Sequence, residues 1–245
     1  MWPAGISPVA REVEMSLAFE DPLTYLPRRQ VQQFARREVI YGGQYVSESL
    51  YVVIAGRVKI TATAEDGVQT IGRIVCTDGL FGEAALIGAR SKCESAAALD
   101  RVGVMSWTRA EIEQHIEREP RLGIALSQYL VRQCIELQDR IASMAMYKTP
   151  ERVMVAVVQL AAALGDPMPD GSTRIASLTH HTIAAYVGTS REIVTFQMNR
   201  LRRLGMVRYS RQSIDVNVAA LKDALRGLGI ALHDEQTAAA RYATA

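Results

Sequence analysis

The stretch from Leu178 to Val216, LTHHTIAAYVGTSREIVTFQMNRLRRLGMVRYSRQSIDV, constrains this chain more than any other. It predicts two short helices joined by a sharp turn, followed by a small β-wing. Thr179 is placed to cap the first helix, and Ile183, Ala184 and Val187 give that helix an apolar face. Gly188 supplies the turn, where a residue with a Cβ would be strained. Ser190 caps the second helix, whose Val194, Met198, Leu201 and Leu204 recur at spacings of four, three and three, a pattern that seats one side on a core. Arg191, Glu192, Thr195 and Phe196 then fall near the start of that helix and away from most of its buried stripe. The N-terminal part of such a helix is what meets base edges in a major groove.

Charge agrees with this reading. From Thr179 to Val216 six arginines (191, 200, 202, 203, 208 and 211) face only Glu192 and Asp215, a net of +4 within a chain whose total is +2. The positive field is therefore concentrated where phosphate contacts would be needed. A solvated helix face explains many arginine clusters, and the position beside a helix-turn-helix is what favours the functional reading. Phosphate contacts are expected from Thr179, His180, Ser190 and Arg200, and from Ser210, Arg211 and Gln212 on the wing.

At 245 residues the chain is long enough for two domains, and its 49% apolar and 22% charged shares match a globular protein. The start, MWPAGISPVAREVEM, has no basic leader followed by an apolar run, and the greasy stretch Val153–Leu164 is too short to span a bilayer, so a cytoplasmic protein without a membrane partner is expected. Cys76, Cys93 and Cys134 are scattered, and adjacent His180 and His181 point in different directions on a helix, so no metal site is expected. No Ser-His-Asp set and no phosphate loop with a lysine is recognisable, which argues against an enzyme.

From Val39 to about Thr108 the pattern changes to short β-branched and aromatic runs punctuated by glycine. Leu50–Ile54 and Arg57–Thr63, flanking Ala55-Gly56, read as a hairpin. Gln69–Val75 and Ala96–Trp107 supply further strands, and the set suggests a barrel or jelly roll flanked by helices. Here a resemblance becomes specific. YGGQYVSESLYVVIAGRVKI (Tyr41–Ile60) and DGLFGEAAL (Asp78–Leu86) resemble the double-stranded β-helix of the cAMP receptor protein/FNR (Crp/Fnr) superfamily of bacterial transcription regulators, and Ser190-Arg191-Glu192 resembles the head of that family's recognition helix. The resemblance implies an α+β fold. A cyclic-nucleotide-binding-like sensor domain would span 1–118 and a long dimerisation helix 119–146. A winged helix-turn-helix domain would span 147–232, with a flexible tail at 233–245.

Between the two halves, Leu126, Leu130, Cys134, Leu137, Ile141 and Met144 form one apolar helical seam. In family members this helix pairs with its twin; packing on the chain's own barrel is the alternative. A homodimer fits a near-palindromic duplex read by two helices one turn apart. Around Met146–Pro150 the pattern breaks, and Pro150 biases Thr149 away from helical geometry, marking a hinge. The family also implies RNA polymerase as a partner.

The effector is expected not to be cAMP. The pocket expected from the resemblance comprises Gly82, Glu83, Ala84, Arg90, Glu94, Ser95, Leu137 and Gln138. In cyclic-nucleotide-binding members Glu83 would meet the ribose and a downstream Arg-Ser pair the cyclic phosphate. Here that pair aligns with Cys93-Glu94 or Glu94-Ser95, and Leu137-Gln138 replaces the Thr-Ser pair that touches adenine. A charge-assisted hydrogen bond contributes about 1.5–3 kcal/mol. Two like charges about 4 Å apart repel by about 4 kcal/mol at an effective dielectric near 20. Arg90 or Lys92 could swing in, or Glu94 could turn to solvent. No cysteine precedes Cys76 and no histidine lies between Val39 and Thr108, so neither an iron–sulfur cluster nor haem is expected. The effector is another small molecule, or the domain acts without one.

By the same resemblance Arg191 would bond a guanine edge and Glu192 a cytosine amino group. The family's third reader is commonly arginine; Phe196 stands there, to pack against a thymine methyl or to turn into the protein. A protein-scaffold module with a borrowed DNA domain is the rival reading.

Overall fold

The structure is a computed structural model, and it describes residues 19–42, 47–65, 69–88, 94–176, 178–210, 213–230 and 232. Eight strands build the N-terminal half: β1 (Gln32–Phe34), β2 (Val39–Tyr41), β3 (Ser49–Ala55), β4 (Val58–Thr63), β5 (Gln69–Val75), β6 (Leu80–Phe81), β7 (Glu94–Ala98) and β8 (Val102–Thr108). They form two antiparallel four-stranded sheets, ordered β1-β8-β3-β6 and β2-β7-β4-β5. Period-two alternation along β3 sorts its side chains. Tyr51 and Val53 enter the core between the sheets with Tyr41, Val58, Ile60, Phe81 and Val104, whereas Leu50 and Val52 turn outward to the helices.

The expected hairpin between Leu50–Ile54 and Arg57–Thr63 does not form. β3 pairs with β8 and β6, and β4 pairs with β5 and β7, so the intervening turn carries the chain from one sheet to the other. Gly56 makes that crossing with φ +83°, and a Cβ there would lie 2.2 Å from the Arg101 carbonyl oxygen. The crossing places Val53 of β3 and Val58 and Ile60 of β4 in the same core between the sheets.

α1 (Arg109–Arg118) follows, opened by Thr108 and Glu111 in a reciprocal cap, and then the long α2 (Arg121–Met146). Leu122 and Leu126 of α2 pack with Leu26, Leu50, Val52, Leu80, Trp107 and Ile112. Leu126 therefore belongs to the β-domain's own core rather than to a seam shared with a partner, a correction to the sequence reading. Leu130 is half-buried, and Cys134, Leu137, Ile141 and Met144 are exposed. Ile124, Val131 and Ile135, at spacings of seven and four, are each more than half exposed as well.

The chain breaks helix at Tyr147 and Lys148, both extended, and α3 (Thr149–Leu164) begins immediately. Thr149 is helical and Pro150 is absorbed into the first turn of α3, where its missing N–H removes no helical bond. β9 (Gly165–Pro167) and β10 (Thr173–Ala176) precede α4 (His180–Val187) and α5 (Arg191–Arg203); β11 (Val207–Tyr209), β12 (Ser213–Val216) and α6 (Val218–Gly227) complete the domain. Its sheet runs β11-β12-β10-β9, and its core joins Val153, Val157, Ile183, Val194, Met198, Ile214 and Leu221.

One side chain ties the two halves together. Arg140 of α2 donates to the carbonyl oxygens of Ile71 at 2.6 Å and of Gly72 on β5, and to that of Tyr186 on α4 at 2.6 Å. Its guanidinium also lies 4.6 Å from the Tyr186 ring centroid. Ile74 packs against the C-terminal core, and Cys76 bonds the Ala163 carbonyl at 3.2 Å. Burial pushes the Cys76 thiol up to about 11, as suits a packed sulfur rather than a reactive one. Among the described residues no helix is long and apolar enough to cross a membrane, and no group of three or more His, Cys, Asp and Glu could hold a metal ion.

Candidate DNA-reading surface and sensor site

The reading surface is assembled by caps. Thr179 Oγ1 accepts from the Thr182 amide at 3.0 Å, and Ser190 Oγ accepts from the Ile193 amide at 3.4 Å. Gly188, at φ +72°, ends α4 in the left-handed region with its N–H on the Ala184 carbonyl. Val194, Met198 and Leu201 are buried as expected, and Gln197 joins them. Leu204 departs from the expected stripe: α5 ends at Arg203, and Leu204 is exposed.

Arg191, Glu192, Phe196 and Arg200 are all exposed on α5. Phe196 is 61% exposed, so of the two expected orientations it takes the outward one. The Glu192 carboxyl is held below its ordinary value by its own backbone N–H and by Ser190, and it stands at the positive end of the helix as an acceptor. Ser210 and Ser213 close the wing, their hydroxyls 2.6 Å apart. Arg211 and Gln212 lie outside the described residues.

Thr195 and His180 differ from the sequence reading. The Thr195 hydroxyl donates to the Arg191 carbonyl at 2.8 Å, and its oxygen is 2.9 Å from His180 Nδ1. His180 Nε2 is 2.9 Å from the Tyr209 hydroxyl. Both polar groups expected to face nucleic acid are thus engaged within the protein. Tyr209 was not singled out from the sequence; its only signal is an aromatic at the root of the wing.

The sensor site is equally occupied. Gly82, at φ +82°, opens a 3-10 turn over Glu83–Ile87, and a Cβ there would meet the Ser49 carbonyl at 2.6 Å. Glu83 Oε1 is 2.6 Å from Arg73 Nη2 of β5. Arg73 also bonds the Leu80 carbonyl at 3.1 Å and the Gln133 side chain of α2. Tyr129 of α2 bonds the same Leu80 carbonyl at 2.9 Å, and burial pushes its phenol up to about 12. Glu94 turns inward rather than to solvent and accepts the Tyr41 hydroxyl at 2.8 Å. Tyr41 stacks with Tyr51 and Phe81, and burial followed by the Glu94 charge raises its pKa. Ser95 Oγ is 2.7 Å from Thr61 Oγ1, and Ala84 is half-buried in the turn. Leu137 and Gln138 are exposed on α2. Arg90, Lys92 and Cys93 lie outside the described residues. Arg73, Tyr41 and Tyr129 were missed because their partners lie from 10 to 53 residues away in the chain.

Two family models match the halves: a cyclic nucleotide-binding domain over residues 31–119 and a Crp-like helix-turn-helix domain over 151–224. The transcriptional regulator SdrP of Thermus thermophilus is 30% identical over 159 residues, covering 64% of this chain and 74% of that protein. The chain belongs to the Crp/Fnr family. Another relative in the family, the CRP-like cAMP-activated global transcriptional regulator of Mycobacterium tuberculosis, is 27% identical over 74% of this chain and 81% of its own length. The crystal structure of TTHA1359, a CRP/FNR-family regulator of Thermus thermophilus, superposes with a TM-score of 0.66 at 28% identity, over 79% of this chain and 97% of that one. FixK2 from Bradyrhizobium japonicum shares the fold at 20% identity, with a TM-score of 0.69 over 79% of this chain and 96% of its own. This Crp/Fnr member is a transcription regulator with a DNA-binding helix-turn-helix.

Proposed function

We propose that the chain works in the cytoplasm as a homodimer on a near-palindromic duplex, recruiting or hindering RNA polymerase there, and that its sensor domain does not answer to cAMP. Arg191 reads a guanine edge, Glu192 a cytosine amino group, and Phe196 packs on a thymine methyl. Thr179, Ser190, Arg200 and the wing hold phosphates. The observation that carries this reading is the outward presentation of Arg191, Glu192 and Phe196 from the first turns of one capped helix. The exposed apolar side chains of α2, from Ile124 and Val131 to Ile141, support pairing with a second copy.

Against cAMP stand two carboxylates. Glu83 already has a cation, and Glu94 sits inside the domain near the place where a cyclic phosphate would need an arginine. The M. tuberculosis relative is a cAMP-activated regulator, and the reading proposed for this chain is that its sensor site departs from that response. The filled state of Glu83 also favours a second reading, a regulator that needs no effector. Selection from random duplexes tests the first claim: an inverted repeat with a guanine lost in Arg191→Ala is expected, and an unchanged preference at every position overturns it.

A further inference from the structure

His180, the first residue of α4, stands between the recognition helix and the wing, and its ring is hydrogen-bonded at both nitrogens. The hydrogens in this cluster follow from bookkeeping. Thr195 has one hydroxyl hydrogen, and it goes to the Arg191 carbonyl. Toward His180 the Thr195 oxygen can only accept, so Nδ1 carries a hydrogen. Burial, then the positive field of Arg191, holds His180 below its ordinary value, so the ring is neutral near pH 7 and Nε2 is bare. Nε2 therefore accepts from Tyr209, whose phenol, pushed up to about 12 by burial, keeps its hydrogen. The result is a one-way chain of donors from the Tyr209 hydroxyl through His180 and Thr195 to the Arg191 backbone.

We propose that His180, Thr195 and Tyr209 form a positioning relay that sets the recognition helix against the wing, so that Arg191 and the wing meet one duplex together. The residue types fit the task. A neutral imidazole both donates and accepts from opposite edges of a rigid ring, whereas lysine or arginine in its place could only donate. The edge-on contact of the His180 and Tyr209 rings, 5.9 Å between centroids at 68°, fixes the ring plane. Thr195 lies one helical turn from Arg191 and grips its carbonyl, so the relay ends on the residue assigned to guanine. Thr195 then influences sequence reading through Arg191, with its own hydrogen already committed. This inference rests on the base-reading role proposed for Arg191.

A double-mutant cycle on the full-length protein tests it. Tyr209→Phe and Thr195→Val remove hydroxyls on opposite edges of the imidazole, and both hydroxyls bond to His180. Each is expected to weaken binding to the selected site by about three- to tenfold, and the pair by little more than the larger single loss. Preference at the Arg191 position should broaden in each variant, the dependence of binding on salt should stay that of the parent, and Thr195→Ser should restore both. Additive losses, or variants that bind and discriminate as the parent does, overturn the relay. If Thr195→Val melts below the assay temperature, His180→Asn replaces it, since asparagine keeps a donor toward Thr195 and cannot span to Tyr209. Adding Tyr209→Phe to it should then cost nothing further, and a full additional loss overturns the relay. A parent protein that selects no sequence would instead sink the base-reading assignment.

Discussion

In the β-domain, Glu83 and Glu94 are turned onto Arg73 and Tyr41 respectively, and the Arg73 guanidinium is spent on a carboxylate, a carbonyl and an amide. In the winged helix, Arg191 and Glu192 carry their charges into solvent from the first turn of α5. Both domains hold opposite charges close together. What differs is whether the charges are answered within the fold. Charges paired with distant side chains hold a shape; charges left exposed at a helix start, with only the local cap beside them, can meet a ligand.

The sharpest way to break this contrast is to remove a charge from each domain. Arg191→Ala should cost about 1–3 kcal/mol of site-specific DNA affinity and relax one guanine position, while leaving the thermal midpoint almost unchanged. Quantitative gel shifts on the selected site and its single-base variants read both. Arg73→Ala should do the reverse. It strands a half-buried carboxylate at a cost of about 1–2 kcal/mol, discounted for partial exposure, and lowers the thermal midpoint by a few degrees. Adding Glu83→Gln should recover part of that loss in the same calorimetric scan. If Arg73→Ala leaves the melt untouched, the sensor site is not held by this pair.

A smaller effect is expected from pH. His180 has a lowered pKa in the folded protein, so the unfolded chain binds more protons between that value and the ordinary one of about 6.5. Its contribution to stability is therefore complete above the unfolded value, declines as pH falls through it, and levels off below the folded one. Denaturant titrations of the parent and of His180→Asn between pH 8 and pH 5 should diverge in that sense; parallel curves would remove the histidine from the account. The smallest effect is expected from cAMP. Millimolar nucleotide should leave the melting point unmoved, and calorimetry showing micromolar binding would erase the distinction between this sensor site and that of a cAMP-activated relative.

The two regions also differ in how far they could be read in advance. The caps Thr179 and Ser190 and the turn at Gly188 are local signals, each satisfied by backbone a few residues away, and the helix-turn-helix follows from them. Ala55-Gly56 is a local signal too, yet a ribbon and a crossing between sheets place the same demand on the turn, and only pairing with distant β7 and β8 distinguishes them. The apolar repeat of α2 has a similar ambiguity. Leu126 and Ile141 are both helical leucine-like positions, but one lies against the β-domain and the other is exposed. His180 looked like a phosphate contact because its partners, Thr195 and Tyr209, lie 15 and 29 residues further on. Long-range polar pairing has no periodicity to betray it.

The Arg140 guanidinium has a mechanical corollary. Because β5 and α4 both surrender carbonyl oxygens to it, the reading head cannot swivel about the Tyr147-Lys148 break without shedding several bonds at once. The same strand, one residue further on, bears Arg73. Torque applied where Arg73 grips Glu83 would thus be delivered to α4 through this rivet, with Ile74 and Cys76 pinning the same strand and its end to the C-terminal domain.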